Sequence, residues 1–252
     1  MDHTLKATVR YDGTGFSGWQ VQPNVPTVQG KLEAALSQIA TQPIRIHGAA
    51  RTDAGVHALA QVFSCSWPRQ PDLRRLRKSL SKMLRPEIRV ERIEEVPADF
   101  HARYSAVAKR YAYAISLASE PDPLAARYAW CVPWDMDPAR LAALGRQLVG
   151  RHDFAGFQCS GGSVKTTVRA LDAIEVHRGG VVGAYNAGEL WRIEFRGNGF
   201  LYKMVRNIMG TLVDIARGCT PETRLAELLA SPGPFAGYTA PPHGLFLVEV
   251  VY

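Results

Sequence analysis

Residues 5–11 alternate, with Leu5, Ala7, Val9 and Tyr11 on one side and Lys6, Thr8 and Arg10 on the other. A period of two predicts a half-buried strand, here with a basic outer face. From Thr27, a suitable N-cap, Val28, Leu32, Ala35, Leu36 and Ile39 recur at helical spacing and predict a helix to about Ala40. Strands are predicted over 44–47 and 59–67, flanking a short loop at 51–57. Asp72 can cap a helix that turns Leu73, Leu76, Leu80, Met83 and Leu84 inward and leaves Arg74, Arg75, Arg77, Lys78 and Lys82 on its other side. A strand over 88–96 follows.

The second half repeats this architecture without repeating its residues. Residues 109–117 alternate as a strand, and Asp137-Pro138 opens a helix in the favoured cap and first-turn positions. Strands are predicted over 168–177 and 190–196. After the turn Gly197-Asn198-Gly199, the apolar positions Leu201, Met204, Val205, Ile208, Met209, Leu212 and Val213 predict a long helix that Gly218 ends. A short helix from Pro221 and a strand over 245–252 complete the set. Strand, helix, strand, strand, helix, strand is the split β-α-β order of ferredoxin-like and RRM-like domains. The expected fold class is therefore α/β of the α+β type, with two such domains, 1–104 and 105–252, each an antiparallel sheet with helices on one side. The boundary is expected near residues 97–105.

With 252 residues the chain can bury a substantial core, and its 46% hydrophobic and 21% charged content is that of an ordinary globular protein. No apolar run approaches the roughly 18 residues that span a bilayer. The N-terminus enters the first strand pattern without a signal-like apolar core or a transit-like Arg/Ser segment, so a cytoplasmic protein with no membrane partner is expected. Lysine and arginine number 30 against 23 acids, a formal net charge of +7. That excess can serve solubility alone, or it can attract a polyanion such as tRNA or DNA. Cys65, Cys131, Cys159 and Cys219 form no Cys-x-x-Cys pair, and the seven histidines form no metal-binding array, so neither metal nor disulfide is expected.

Gly13-Thr14-Gly15-Phe16-Ser17-Gly18 fits a dinucleotide-binding pattern, with Glu33 about 20 residues beyond its start, but the context fails. The segment runs into Trp19-Gln20-Val21-Gln22-Pro23 instead of opening a helix, and Glu33 lies inside one, so it reads as an irregular loop. Arg51-Thr52-Asp53-Ala54-Gly55-Val56-His57 is more unusual, because it sets a carboxylate among small residues between two apolar strands. Small neighbours leave room for a substrate, while an Asx-turn is the plain alternative. An aspartic-protease reading would need a second Asp-Thr-Gly element, and none exists.

Lys109-Arg110-Tyr111-Ala112-Tyr113 puts two tyrosines on one face of a strand, either as core or as a stacking platform for an unstacked base. Arg206 lies among apolar positions of the late helix and needs an anion unless it faces solvent; Asp53 is the candidate partner. Phe100-His101-Ala102-Arg103-Tyr104-Ser105, at the expected junction, mixes aromatic and cationic groups, and His101 could serve acid-base chemistry, position a substrate or bridge domains.

Together these segments resemble the tRNA pseudouridine synthase A family. The resemblance is carried by Phe16-Ser17-Gly18-Trp19-Gln20, Thr27-Val28-Gln29-Gly30, Arg51-Thr52-Asp53-Ala54-Gly55-Val56-His57, Phe100-His101-Ala102-Arg103, Lys109-Arg110-Tyr111, Met204-Val205-Arg206-Asn207-Ile208 and Ala240-Pro241-Pro242. Ala50 departs from the pattern, standing before Arg51 where the family often has glycine. The resemblance implies isomerisation of uridine to pseudouridine at positions 38, 39 and 40 of the tRNA anticodon arm, without metal or organic cofactor. It also implies a homodimer, a catalytic cleft between the two domains, and Asp53 as nucleophile.

On that reading Arg206 would hold Asp53 as the anion, and Tyr111 would stack on the uracil or handle a proton. Arg51 could fill the space left by a flipped nucleotide. Arg10 and the basic helix face would supply phosphate contacts, with His57, His101, Arg103 and Lys109 as further substrate contacts. Two rivals remain. A non-catalytic pair of RRM-like folds would explain the charge and tyrosines but not the Asp53 loop, and a metal-dependent nuclease would need a carboxylate cluster.

Overall fold

The computed structural model describes residues 3–162, 164–182, 190–230, 233 and 235–252. Two compact units emerge, one of Met1–Val107 with Leu247–Tyr252, the other of Ala108–Phe246. Both combine helices with mostly antiparallel strands, the mixed class expected from the pattern.

In the first unit the order is β1 (His3–Tyr11), α1 (Val28–Ala40), β2 (His47–Gly48), β3 (His57–Trp67), α2 (Leu73–Leu84) and β4 (Ile88–Val96). β1 is central, antiparallel to β3 and β4, and β10 (Leu245–Val251) lies beside β3. The alternation of β1 is real: Leu5, Ala7, Val9 and Tyr11 are buried and Arg10 is exposed. Thr27 caps α1 by accepting the Gly30 amide, and Asp72 caps α2 by accepting the Arg75 amide. α2 buries Leu76, Leu80 and Leu84, but Met83, expected inside, is exposed. Arg74, Arg75, Arg77, Lys78 and Lys82 are all exposed.

The strand expected over 44–47 shrinks to the two residues of β2, and the reason is local. The Ile44 amide donates to Ser37 Oγ at 2.8 Å and the Ile46 amide to Glu33 Oε1 at 3.0 Å. Side chains of α1 therefore satisfy donors that a ladder would otherwise take, as buried amides require. Glu33, which in a dinucleotide fold would hold a ribose, is buried and also accepts from Arg45 and Gln29.

The second unit runs β5 (Ala108–Ser116), β6 (Trp130–Cys131), α3 (Pro138–Arg146), β7 (Gly150–Asp153), β8 (Val168–Arg178), β9 (Leu190–Gly197), α4 (Met204–Ala216) and α5 (Arg224–Ala230). Its strands lie in the order β5-β9-β8-β7, and β6 runs parallel to β5. β6 and β7 are too short, and β7 too polar, to leave a periodic trace in the sequence. α4 starts at Met204, later than the apolar pattern, because Lys203 takes a left-handed φ of 60° and the Met204 amide closes a turn onto Leu201. Leu201 is nonetheless buried. The segment from Pro221 turns before α5 begins.

Candidate active site

Asp53 is half-buried in the turn between β2 and β3. Its neighbours are held on several sides. The Trp19 amide donates to the Thr52 carbonyl at 3.0 Å, the Gly55 amide to Phe16 at 3.3 Å, and the Val56 amide to the Asp53 carbonyl at 3.1 Å. The buried Thr52 hydroxyl lies 2.8 Å from the Tyr11 hydroxyl. Burial pushes the Tyr11 phenol well above its ordinary range, with hydrogen bonds from Thr52 and Gln61 opposing, so Tyr11 stays neutral.

Just before the loop, Ala50 is held by the side chain of Gln61, from β3, in place of a strand partner. Fully buried, Gln61 donates Nε2–H to the Ala50 carbonyl at 2.8 Å and accepts the Ala50 amide at 3.2 Å. Both backbone groups of Ala50 are thereby satisfied by one amide side chain. Ala50 is not among the described non-glycine residues with positive φ, which are Asn24, Thr41 and Lys203, so its methyl group meets no strain there.

The glycine-rich segment 13–18 is explained by the same loop. A Cβ at Gly13 would come within 2.0 Å of the Val56 carbonyl oxygen. Gly18 combines a φ of 93° with a position where a Cβ would lie 2.8 Å from the Thr52 oxygen. The pattern that imitates a nucleotide fingerprint is thus what lets one loop lie directly on the backbone of the Asp53 loop. His57 takes part: it is 1% exposed, and its Nδ1 accepts the Gly13 amide at 3.0 Å. Asp12 Oδ1 is also 3.2 Å from that nitrogen, but Nδ1 cannot accept from one and donate to the other at once. The Gly13 bond is the better fit, since Asp12 already takes the Thr14 amide and hydroxyl.

Arg51 is exposed at the loop's edge. Arg10 is exposed on β1 and pairs with Glu91 at 2.7 Å. His101 is half-buried, its Nδ1 accepting the amides of Arg103 and Tyr104 at 3.1 and 3.4 Å. Burial first, and then the nearby charge of His47, hold its pKa below the usual histidine range.

In the second unit Tyr111 is buried on β5, edge-on to Phe200 with ring centres 5.0 Å apart. Tyr113 is fully buried and donates its hydroxyl to the Pro241 carbonyl at 2.6 Å. Of the two tyrosines, Tyr113 is therefore core. Lys109 is half-buried at the start of the same strand. Arg206 lies in the first turn of α4, which has no side-chain cap. Its Nε donates to the Ala240 carbonyl at 2.8 Å, while the Ala240 amide donates back to the Arg206 carbonyl at 3.1 Å. A guanidinium added to the positive end of a helix makes a favourable place for an anion.

Asn207, next in α4, was not singled out by sequence reasoning. Fully buried, it donates to the Phe157 carbonyl at 2.8 Å and accepts the Thr239 hydroxyl at 2.7 Å. Thr239, Ala240 and Pro241 are thus tied in turn to Asn207, Arg206 and Tyr113. The available signal was a polar residue on the apolar side of α4, which must find partners when buried.

Among the described residues no group of three or more His, Cys, Asp or Glu side chains could hold a metal ion, and no helix is long and apolar enough to cross a membrane. The model of the tRNA pseudouridine synthase family matches residues 7–105 and 144–252. The chain is 41% identical over 249 residues to tRNA pseudouridine synthase A of Streptococcus mutans, with 98% of each chain covered. It is 36% identical over 248 residues to that of Geobacter sulfurreducens and 41% identical over 249 residues to that of Rhodopseudomonas palustris, again with 98% of each covered. Matched through the Asp53 loop, the start of β5 and the whole of α4 by full-length relatives, the chain belongs to the tRNA pseudouridine synthase family of isomerases.

Proposed function

We propose that this enzyme converts uridine to pseudouridine at positions 38, 39 and 40 of the tRNA anticodon arm, in the cytoplasm and as a homodimer, with Asp53 as the nucleophile. The observation that supports it best is the Asp53 loop itself, a half-buried carboxylate flanked by Ala54 and Gly55 on a backbone fixed through Thr52, Val56 and Ala50. The reaction breaks the C1′–N1 bond and makes a C5–C1′ bond. N1 gains a proton, C5 loses one to solvent, and no electrons enter or leave. A positioned carboxylate that adds to the nucleotide and later departs suffices, with no cofactor.

Arg206 supplies positive charge to the reacting centre, and Tyr111 offers its ring to the uracil. Arg51, exposed beside the loop, occupies the space left when the target nucleotide leaves its stack. Lys109 contacts substrate near Tyr111. Arg10 and the exposed cations of α2 meet phosphates. His57, buried, acts by holding Gly13 against Val56 and not by touching tRNA.

The test is incubation with tRNA carrying tritium at uridine C5, since tritium is released only when C5 becomes the new attachment point. Wild-type protein should release it, and Asp53→Asn should not. Release at the normal rate by Asp53→Asn would remove Asp53 from the chemistry.

A further inference from the structure

Three rings stand in a row on the surface of the first unit. The imidazoles of His47 and His101 have centres 4.9 Å apart, and the His101 and Tyr104 rings 4.4 Å apart, with interplanar angles of 33° and 34°. The row opens outward: His101 is half-buried, His47 is exposed, and Tyr104 is 77% exposed. The Arg103 guanidinium lies 5.8 Å from the Tyr104 ring centre.

Exposing so much of a tyrosine forgoes its burial energy, yet the backbone beneath it is tightly fixed. Ser64 of β3 joins both parts. Its backbone pairs with His47 across the β2–β3 ladder, and its hydroxyl accepts the Ala102 amide at 3.1 Å. The Ala102 carbonyl accepts the Tyr252 hydroxyl at 2.8 Å. The His101 amide donates to Ser105 Oγ at 3.1 Å, the Ser105 amide returns to the His101 carbonyl at 2.9 Å, and His101 Nδ1 takes two further amides. The turn at 101–105 is therefore ordered by its own hydrogen bonds, not by burial of Tyr104.

We propose that His47, His101 and Tyr104, with Arg103 beside them, form a preorganised stacking platform for an unpaired base of the bound RNA. The chemistry selects this occupant. Flat π faces and one adjoining guanidinium suit a nucleobase, whereas a phosphate would draw on several cations, and the chain's net charge of +7 favours a polyanion. His101 is neutral near pH 7, which removes charge repulsion within the row. This inference rests on tRNA as substrate and adds an anchoring point away from the Asp53 loop.

The test is equilibrium binding of tRNA to wild type, Tyr104→Ala and Tyr104→Trp at low and moderate salt, with sedimentation of each protein. Tyr104→Ala should weaken binding by about 5- to 100-fold with the salt slope unchanged, and Tyr104→Trp should restore it. Equal affinity of Tyr104→Ala and wild type would overturn the platform alone. So would a salt slope reduced by about one, which marks a phosphate contact, or an altered oligomeric state, which marks a subunit contact. If wild-type protein binds no tRNA, the substrate reading fails first and the platform falls with it. Because Tyr104 is exposed, an unchanged urea midpoint should accompany the weaker binding.

Discussion

The Tyr11 hydroxyl meets Thr52 Oγ1 at 2.8 Å, one residue before Asp53, where both side chains are sealed from solvent. A strand residue thus fixes the loop that carries the carboxylate. Tyr11→Phe keeps the ring and leaves Thr52 and Gln61 with one partner fewer. It should cost about 1–3 kcal/mol in urea unfolding. Turnover should fall more than tRNA affinity, because a misplacement of about an ångström can cost on the order of 10²-fold in rate. Single-turnover tritium release set against tRNA binding checks this, and an equal loss in both would show that the bond serves folding alone.

Gly13→Ala and Gly15→Ala make a matched pair. The first drives a methyl group into the Val56 carbonyl, while nothing lies within 4 Å of a Cβ at Gly15. Gly13→Ala should unfold at clearly lower urea or not accumulate in soluble form, and Gly15→Ala should differ from wild type by about 0.5 kcal/mol or less. Equal midpoints for both would mean the two loops part easily.

How far the sequence could be read follows from these contacts. The alternation of β1 and the caps of α1 and α2 were legible because period and capping chemistry are local. The short β2 was not, since its cause is Glu33 and Ser37 taking the Ile46 and Ile44 amides from another element. Asp53, Arg206 and Tyr111 stood out as a carboxylate among small residues, a cation among apolar ones and a ring in a basic protein. Gln61 and Asn207 stayed hidden, because their meaning lies in the backbone groups they satisfy. His57, expected among the substrate contacts, is 1% exposed and accepts the Gly13 amide, a bond that no local sequence pattern announces.

The basic face of α2 should appear in the salt dependence of binding. Changing Arg74, Arg77 and Lys78, all exposed, to glutamine should lower the slope of log affinity against log salt by about one for each phosphate that is no longer neutralised. Titration of tRNA at several salt concentrations measures it. An unchanged slope would place the phosphates elsewhere.

Glu194 on β9 lies between Arg192 at 2.8 Å and Arg110 at 3.0 Å. Burial opposes its charge, but hydrogen bonds and charge from both arginines hold the carboxyl below the ordinary range. A depressed folded pKa adds stability that is present above the unfolded value of about 4.3 and is lost as pH falls through the folded value. Glu194→Gln should therefore cost about 1 kcal/mol near pH 7, and the gap to wild type should close under acid conditions. Urea midpoints measured from pH 7 down to about pH 3 test the sign, and a gap that widens in acid would refute it.

Leu247–Tyr252 belongs to the first unit although the whole of the second lies between it and Val107. Val250 packs against Ala49, Val62 and Ala102, and Tyr252 sits under Lys6 and beside Phe100. During synthesis, then, the unit that bears Asp53 should close only after residues 247–252 have been made, long after Asp53 itself. Until then the flank of β3 stays open to stray strands, a hazard for a nascent chain. A fragment ending near residue 107 should aggregate, whereas a rearranged chain that places residues 247–252 ahead of β1 should let this unit fold as it is synthesised.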